Sequence, residues 1–141
     1  MVDFAFGQTQ RLAGQKPDGS AYRVLVVNDS KAMAAQLSQI LASEGFEVAA
    51  TAADGDEAVT RYKELADTLD LVVVDVTLPK KDGVAVVEEI LGHNRGARVV
   101  MVAATGAQES VKKALEAGAK SYIPTPLDRT KVLERVASAL S

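Results

Sequence analysis

Two aspartates stand directly behind runs of apolar residues, where a carboxylate is either a solvated strand end or a reactive group. Asp75 ends the run "LVVVD", and Asp29 follows "VLVVN". Two carboxylates, together with a backbone carbonyl and water molecules, are ligands that suit Mg²⁺. A carboxylate beside such a cation can accept a phosphoryl group, because the cation screens both the nucleophile and the incoming phosphate. Asp75 is therefore a candidate nucleophile, and Asp29 and Asp75 are candidate metal ligands.

These aspartates belong to a repeated pattern of a valine-rich run, a polar turn and a stretch with helical spacing. Continuous apolar runs are buried on both faces, which is typical of a parallel sheet covered by helices. The pattern predicts a doubly wound, flavodoxin-like (βα)5 fold with strand order 2-1-3-4-5. In that order the strands that end at Asn28, Asp29 and Asp75 are neighbours, so these side chains meet at one edge. The five predicted strands are residues 22–29, 47–52, 70–75, 97–104 and 120–126.

Residues 1–21 precede this pattern and show no sustained periodicity. They contain three glycines and a Pro-Asp-Gly turn signal. We predict that they form a flexible N-terminal extension and that residues 22–141 form a single domain. Val2, Phe4 and Phe6 alternate with other residues, which leaves open a short edge strand or a hydrophobic latch.

Composition excludes several classes of function. The chain has 141 residues, of which 48% are hydrophobic and 25% charged, and its formal net charge is −3 with both signs mixed. A mixed, slightly acidic surface gives no basic footprint for nucleic acid and no polybasic membrane anchor. The absence of cysteine rules out disulfides, thiolate catalysis and cysteine-based zinc sites. We expect a cytoplasmic protein without nucleic-acid or membrane partners.

The five-unit region resembles the CheY-like receiver domains of bacterial two-component response regulators. The resemblance rests on "VLVVNDS", "LVVVDVTLPKKDG" and "ALEAGAKSYIPTPLD", in this order and spacing. It implies that Asp75 is the phosphoacceptor and that Asp29 binds Mg²⁺ directly. It further implies that Thr77 supplies a backbone carbonyl ligand and that Asn28 stands at the position of a metal-associated acidic residue. Tyr122 would be the aromatic residue whose rotamer reports activation.

Three positions depart from the family pattern. Asn28 replaces an acidic residue, Ala103 replaces a threonine or serine, and Thr125 replaces a lysine that precedes the last proline. Ala103 is placed by counting fifteen residues back from Gly118, as the family spacing requires. A shifted loop would instead bring Thr105 into reach of the site.

These departures affect the metal site and the switch differently. The usual site has three carboxylates and one ammonium, and this one has two carboxylates and no lysine, so both carry a net charge of −2. We therefore expect a weakened Mg²⁺ site in which Asn28 acts only indirectly. Ala103 offers no donor and Thr125 is too short for an ion pair, although each charge-assisted hydrogen bond is worth about 1.5–3 kcal/mol. Moving a two-state equilibrium from 1:99 to 99:1 needs about 5.5 kcal/mol, so phosphorylation should bias conformation only weakly.

Two hypotheses about function remain. The first is a non-enzymatic, single-domain atypical response regulator that receives phosphate from a histidine kinase or phosphotransfer protein. Its output surface would be the face of the fourth helix, fifth strand and fifth helix, with residues 108–117 and Tyr122. The second is a pseudo-receiver that binds partners without phosphorylation. The retained Asp75 favours the first hypothesis, and the changes at Ala103 and Thr125 favour the second.

Other motifs point to simpler interpretations. "DVTLP" looks like a phosphatase nucleophile loop, but a dehalogenase-type phosphatase would need an aspartate where Thr77 stands. The sequence does not indicate a Rossmann nucleotide site, because no G-x-G-x-x-G follows the first strand. His93 is interpreted as an exposed residue at a helix end.

Overall fold

The computed structural model describes residues 12–141, which form one parallel sheet with helices on both faces. The hydrophobic latch considered for Val2, Phe4 and Phe6 lies outside the described residues. Within the described chain, no helix has the length and apolar character that crossing a bilayer requires. The elements are β1 (Arg23–Val27), α1 (Lys31–Ser43), β2 (Glu47–Ala52), α2 (Gly55–Leu65), a 3₁₀ turn (Ala66–Thr68), β3 (Leu71–Asp75), α3 (Gly83–His93), β4 (Val99–Ala103), α4 (Gln108–Ala117), β5 (Ser121–Pro124) and α5 (Arg129–Leu140).

The strand order β2-β1-β3-β4-β5 confirms the predicted doubly wound topology. All strand pairs are parallel, so every carboxyl end lies at the same edge of the sheet. Val27 of β1 lies opposite Val74 of β3, and Asp75 lies opposite Val102 of β4. The chain leaves β1 and β3 in opposite directions, and ligands bind at such a switch point in open α/β sheets.

Side chains along each strand alternate between two apolar layers, one on each face of the sheet. Helices α2, α3 and α4 cover the layer that contains Val72, Val74 and Met101. Helices α1 and α5 cover the layer that contains Val73 and Val102. These five side chains are at most 1% exposed, which confirms that the apolar runs are buried on both faces. The same alternation determines which face of the sheet the side chain of each strand-end residue points to.

Side-chain caps start four of the five helices. Ser30, Asp54, Asp82 and Asp128 each accept a hydrogen bond from the backbone N–H three residues further on, as good N-cap residues do. Helix α4 differs, because Ala107 at its N-cap offers no side-chain acceptor. The first turn of α4 therefore lacks a stabilising contact that the other helices have.

The described part of the N-terminal extension contacts the amino-terminal edge of the sheet. The N–H of Gly14 donates to the carbonyl oxygen of Glu44 at 2.8 Å. The Lys16 Nζ lies 3.1 Å from a carboxylate oxygen of Asp70, just before β3. That residues 1–21 form a flexible extension stays a prediction. The contacts described here are made by Gly14 and Lys16.

Candidate functional site

A cleft of about 350 Å³ opens at the carboxyl edge of the sheet, beside β3 and β4. It brings together four residues that the sequence singled out, namely Asp29, Asp75, Thr77 and Thr125. Met33 of α1 adds an apolar wall that the sequence analysis did not predict. The other three predicted positions, Asn28, Ala103 and Tyr122, do not line this cleft.

Asp75 is only partly buried, and its environment raises its pKa. Its Oδ1 accepts a hydrogen bond of 2.8 Å from the backbone N–H of Thr77. Burial raises the pKa of Asp75 above the ordinary value of 3.8, the Thr77 N–H opposes that rise, and the charge of Asp29 adds to it. The two carboxylates therefore lie close enough to repel each other, and a cation between them would relieve that repulsion.

The raised pKa predicts how stability depends on pH in the metal-free protein. Between pH 3.8 and the folded-state pKa of Asp75, the folded chain binds more protons than the unfolded chain. Stability therefore falls as pH rises through that window, and the full penalty is present above it. Asp75→Asn should raise the midpoint of thermal unfolding at pH 7 in EDTA, and this gain should disappear below pH 3.8.

The matched control for this pH experiment is Asp67→Asn, which removes an exposed carboxylate in the 3₁₀ turn. We expect little change in the midpoint for this variant at either pH, since isolated surface charges contribute little to stability. A gain from Asp75→Asn that is the same at pH 3 and pH 7 would contradict the linkage argument.

Asn28 follows β1 and is 3% exposed. Its Oδ1 accepts a hydrogen bond of 2.9 Å from the backbone N–H of Ser30, and its own N–H donates to the carbonyl of Ala52 at 2.9 Å. Its Nδ2 has no partner among the described residues, although an unpaired buried donor costs about 1–3 kcal/mol. Asn28 is therefore suited to donate a hydrogen bond to an oxygen that enters with a ligand, and its own oxygen is already engaged.

The donor set fits a hard cation such as Mg²⁺. Asp29 and Asp75 bring two carboxylates to the cleft, and Thr77 also lines it. No group of three or more His, Cys, Asp or Glu side chains suited to a metal occurs in residues 12–141. Mg²⁺ is usually bound by one or two carboxylates and keeps several water molecules. The unpaired Nδ2 of Asn28 is a donor of the kind that such a water molecule accepts.

The two lysines after Pro79 do not replace the missing cation at Thr125. The Nζ of Lys80 lies 3.6 Å from the carboxylate of Asp54, and its side chain is 64% exposed. Lys81 forms an ion pair with Glu89. Neither lysine lines the cleft at Asp75, so the side chains described there include two carboxylates and no ammonium.

Helix α3 begins against the backbone that carries Asp75. Asp82 and Gly83 are the N-cap and the first residue of α3. The N–H of Gly83 donates to the carbonyl of Val76 at 3.1 Å. A Cβ on Gly83 would lie 2.3 Å from the carbonyl oxygen of Asp75, which is closer than atoms can approach. Glycine at position 83 therefore allows the first turn of α3 to pack directly against the backbone of Asp75.

Ala103 lies on the opposite side of β4 from the cleft. It lines a second cavity of about 630 Å³, together with Thr105, Val111 and Tyr122. The pleat of the strand explains this, because residues 99, 101 and 103 face one layer and residues 100 and 102 the other. Ala104 follows the strand and lines both the Asp75 cleft and the second cavity. A donor at Ala103 or Thr105 would reach Asp75 only if the segment after β4 moved.

The sequence of this chain matches a known protein family. Residues 24–137 match the family described as the response regulator receiver domain. The chain belongs to that family. Receiver domains of this kind act in two-component signalling and generally bind Mg²⁺ where they are phosphorylated.

The relatives of this receiver domain include chemotaxis proteins. It is 56% identical to chemotaxis protein CheY of Treponema pallidum over 128 residues, which cover 91% of this chain and 89% of that protein. It is 40% identical to CheY of Bacillus subtilis over 121 residues, which cover 86% of this chain and 99% of that protein. A chain in the crystal structure of the CheX-CheY-BeF3-Mg+2 complex from Borrelia burgdorferi matches with a TM-score of 0.87 and 45% identity, covering 91% of this chain and 96% of that chain.

Three contacts of this receiver domain are not apparent in the sequence motifs. They are the ion pair of Lys80 with Asp54, the close approach of Gly83 to Asp75, and the position of Ala104 in the cleft. Strand alternation could have placed Ala104, since it predicts that neighbouring residues face opposite layers. His93 is exposed as predicted, with its ring edge-on to Tyr62 at 5.9 Å.

Proposed function

We propose that this chain is a single-domain, atypical response regulator in which Asp75 accepts a phosphoryl group. The observation that carries the proposal is the cleft shared by Asp29, Asp75 and Thr77, which offers a metal-binding set of oxygens around a partly buried carboxylate. A nucleophilic carboxylate needs access, a fixed orientation and a nearby cation. The cleft provides access, and the N–H of Thr77 fixes the orientation.

The proposed step transfers a phosphoryl group from a phosphohistidine to Asp75. The oxygen Oδ1 is held by the N–H of Thr77, so Oδ2 attacks the phosphorus. A P–O bond forms, the P–N bond breaks, and the imidazole nitrogen leaves with its electron pair. Bound Mg²⁺ supplies charge screening for the carboxylate and the phosphate. Asp29 and the Thr77 carbonyl would hold that ion beside Asp75, and Asn28 would donate to an oxygen of its shell.

The output of the phosphorylated protein should be weak. Thr125 lines the cleft, but its hydroxyl carries no charge and cannot reach as far as a lysine. Ala103 offers no hydroxyl and lines the neighbouring cavity. The phosphoryl group consequently lacks both contacts by which it would pull the segment after β4, and with it Tyr122, to a new position. We call the protein atypical because it lacks these two contacts.

The partners we propose follow from the fold and its relatives. A histidine kinase or phosphotransfer protein would supply the phosphoryl group, and an output protein would bind the α4, β5 and α5 face. The T. pallidum relative and the B. burgdorferi complex support a place in chemotaxis and a CheX-type partner. We propose a cytoplasmic protein without enzymatic turnover of its own and without nucleic-acid or membrane partners.

Mg²⁺ should bind weakly but measurably at this site. Titration should shift the amide NMR signals of Asn28, Asp29, Asp75 and Thr77, because these residues surround the proposed ion. Binding should also stabilise the fold, by about 1.4 kcal/mol at a metal concentration ten times Kd. Asp29→Asn should abolish both effects, and the absence of any shift at millimolar Mg²⁺ would rule the site out.

Phosphotransfer from a histidine kinase tests the function itself. Incubation with a radiolabelled, autophosphorylated kinase from a chemotaxis system and Mg²⁺ should label the unaltered chain and leave Asp75→Asn unlabelled. EDTA should suppress the labelling. Equal labelling of both proteins would place the phosphate elsewhere and overturn the proposal.

The second candidate is a pseudo-receiver that binds partners without phosphorylation. The specific observation that favours it is that Thr125, in the cleft, carries no charge and that Ala103, in the neighbouring cavity, carries no hydroxyl. In that case a partner would bind Asp75→Asn and the unaltered protein equally well, in the presence or absence of phosphodonor. A partner that prefers the phosphorylated protein excludes this candidate.

A further inference from the structure

The second cavity lies between β4, α4 and β5, and most of its lining is apolar. Its apolar residues include Ala103, Ala107, Val111, Leu115 and Pro124. Its volume is about 630 Å³, and cavities of roughly 300–1,000 Å³ accommodate drug-sized molecules. A phenol ring therefore fits inside it with room to spare.

Tyr122 forms one wall of this cavity and does not fill it. The side chain is only partly buried, although it packs against the apolar layer under α4. An aromatic ring gains free energy when it leaves water for an apolar environment, and the cavity beside the ring offers such an environment. Ala103 has only a methyl group as its side chain, so it does not obstruct the ring. A contact outside the cavity would explain why the ring stays where it is.

The contact that the structure shows is a stack with Arg135 of α5. The guanidinium carbon of Arg135 lies 5.1 Å from the centroid of the Tyr122 ring, within the roughly 6 Å range of a cation–π interaction. Arg135 is itself partly buried, which strengthens such an interaction relative to a fully solvated one. The other described cation–π contact in the chain is at the opposite edge of the domain, between Lys16 and Tyr22.

We infer that Arg135 is a positioning residue that holds Tyr122 out of the cavity lined by Ala103 and Val111. The position of the ring is thereby set from α5 and does not depend on whether Asp75 carries a phosphoryl group. Residue 103 leaves space for the ring but neither draws it in nor blocks it. This inference goes beyond the proposed phosphorylation and stands whether or not Asp75 is phosphorylated.

The test is the ring position of Tyr122 in Arg135→Met, which keeps a long apolar side chain and removes the cation. In ¹³C-labelled protein without phosphodonor, contacts between the ring protons and the methyl groups of Ala103 and Val111 report the inward position. The ratio of inward to outward populations should rise at least roughly two- to five-fold, since that is the equivalent of an exposed cation–π contact and this contact is partly buried. Arg135→Lys should give an intermediate ratio, because it keeps the charge but loses the planar stack.

Two controls make the result specific. Arg129→Met removes a guanidinium from the same helix, where it pairs with Glu44 at 2.7 Å, and should leave the ring contacts unchanged. Adding Ala103→Ile to Arg135→Met places a bulky side chain in the part of the cavity next to Ala103 and should shift the ring back toward the outward position. Identical ring contacts in Arg135→Met and the unaltered protein would overturn the inference, as would a ring that already occupies the cavity in the unaltered protein.

Discussion

The double substitution Ala103→Thr with Thr125→Lys should convert a weakly responding protein into one that switches. With Mg²⁺ and beryllofluoride, a mimic of the phosphoryl group, the signals of Tyr122 and residues 104–117 should move substantially in the double variant. In the unaltered protein they should stay largely in place. The two restored donors are together worth about 3–6 kcal/mol, which is comparable to the roughly 5.5 kcal/mol that reverses a 1:99 equilibrium.

The matched control for the switch is Ala103→Val with Thr125→Met. Valine has nearly the shape of threonine without its hydroxyl, and methionine has a long side chain without the charge of lysine. This control should bind the mimic without moving Tyr122. A full rearrangement of Tyr122 in the unaltered protein would contradict the account and would show that another donor, such as Thr105, has taken the missing roles.

Gly83→Ala should destabilise the protein. The added Cβ would lie 2.3 Å from the carbonyl oxygen of Asp75 and 2.6 Å from the Cα of Val76. Both atoms belong to the backbone, so neither can turn aside as a side chain would. Overpacking of this kind typically costs about 1–3 kcal/mol, and occasionally more. Chemical denaturation should show the loss, and the amide signals of Asp75 and Val76 should shift.

Gly92→Ala provides the comparison within the same helix α3. A Cβ at Gly92 meets no atom within 4 Å, and alanine is favoured over glycine in a helix by roughly 1 kcal/mol. This substitution should therefore stabilise the protein. Equal effects of Gly83→Ala and Gly92→Ala would show that α3 does not press against the Asp75 backbone.

The sequence predicts the fold well because its signals are local and repeated. Valine-rich runs, helical spacing and a cap such as Ser30 each indicate one element, and the rule of right-handed crossovers then leaves few topologies, which include the observed strand order. The pairing of Asp29 with Asp75 in one cleft follows from that order. Both carboxylates end parallel strands, and such ends meet at one edge.

The remaining features depend on contacts between residues that are distant in the chain. Arg135 reaches Tyr122 from the next helix, and Gly83 meets Asp75 because α3 turns back under its own strand. No local pattern encodes these distances, since they are set by how the helices pack on the sheet. Asn28 is another example. The sequence gives its residue type, but only the structure shows that its Nδ2 is buried without a hydrogen-bond partner among the described residues.

Intact-mass measurement after incubation with a small phosphodonor tests most directly whether Asp75 is a metal-dependent phosphoacceptor. With acetyl phosphate and Mg²⁺, the unaltered protein should gain the mass of one phosphoryl group, and peptide mapping after borohydride trapping should place it on Asp75. EDTA or Asp75→Asn should prevent the gain. An unaltered mass with Mg²⁺ present, or a phosphoryl group that persists in Asp75→Asn, would contradict the account.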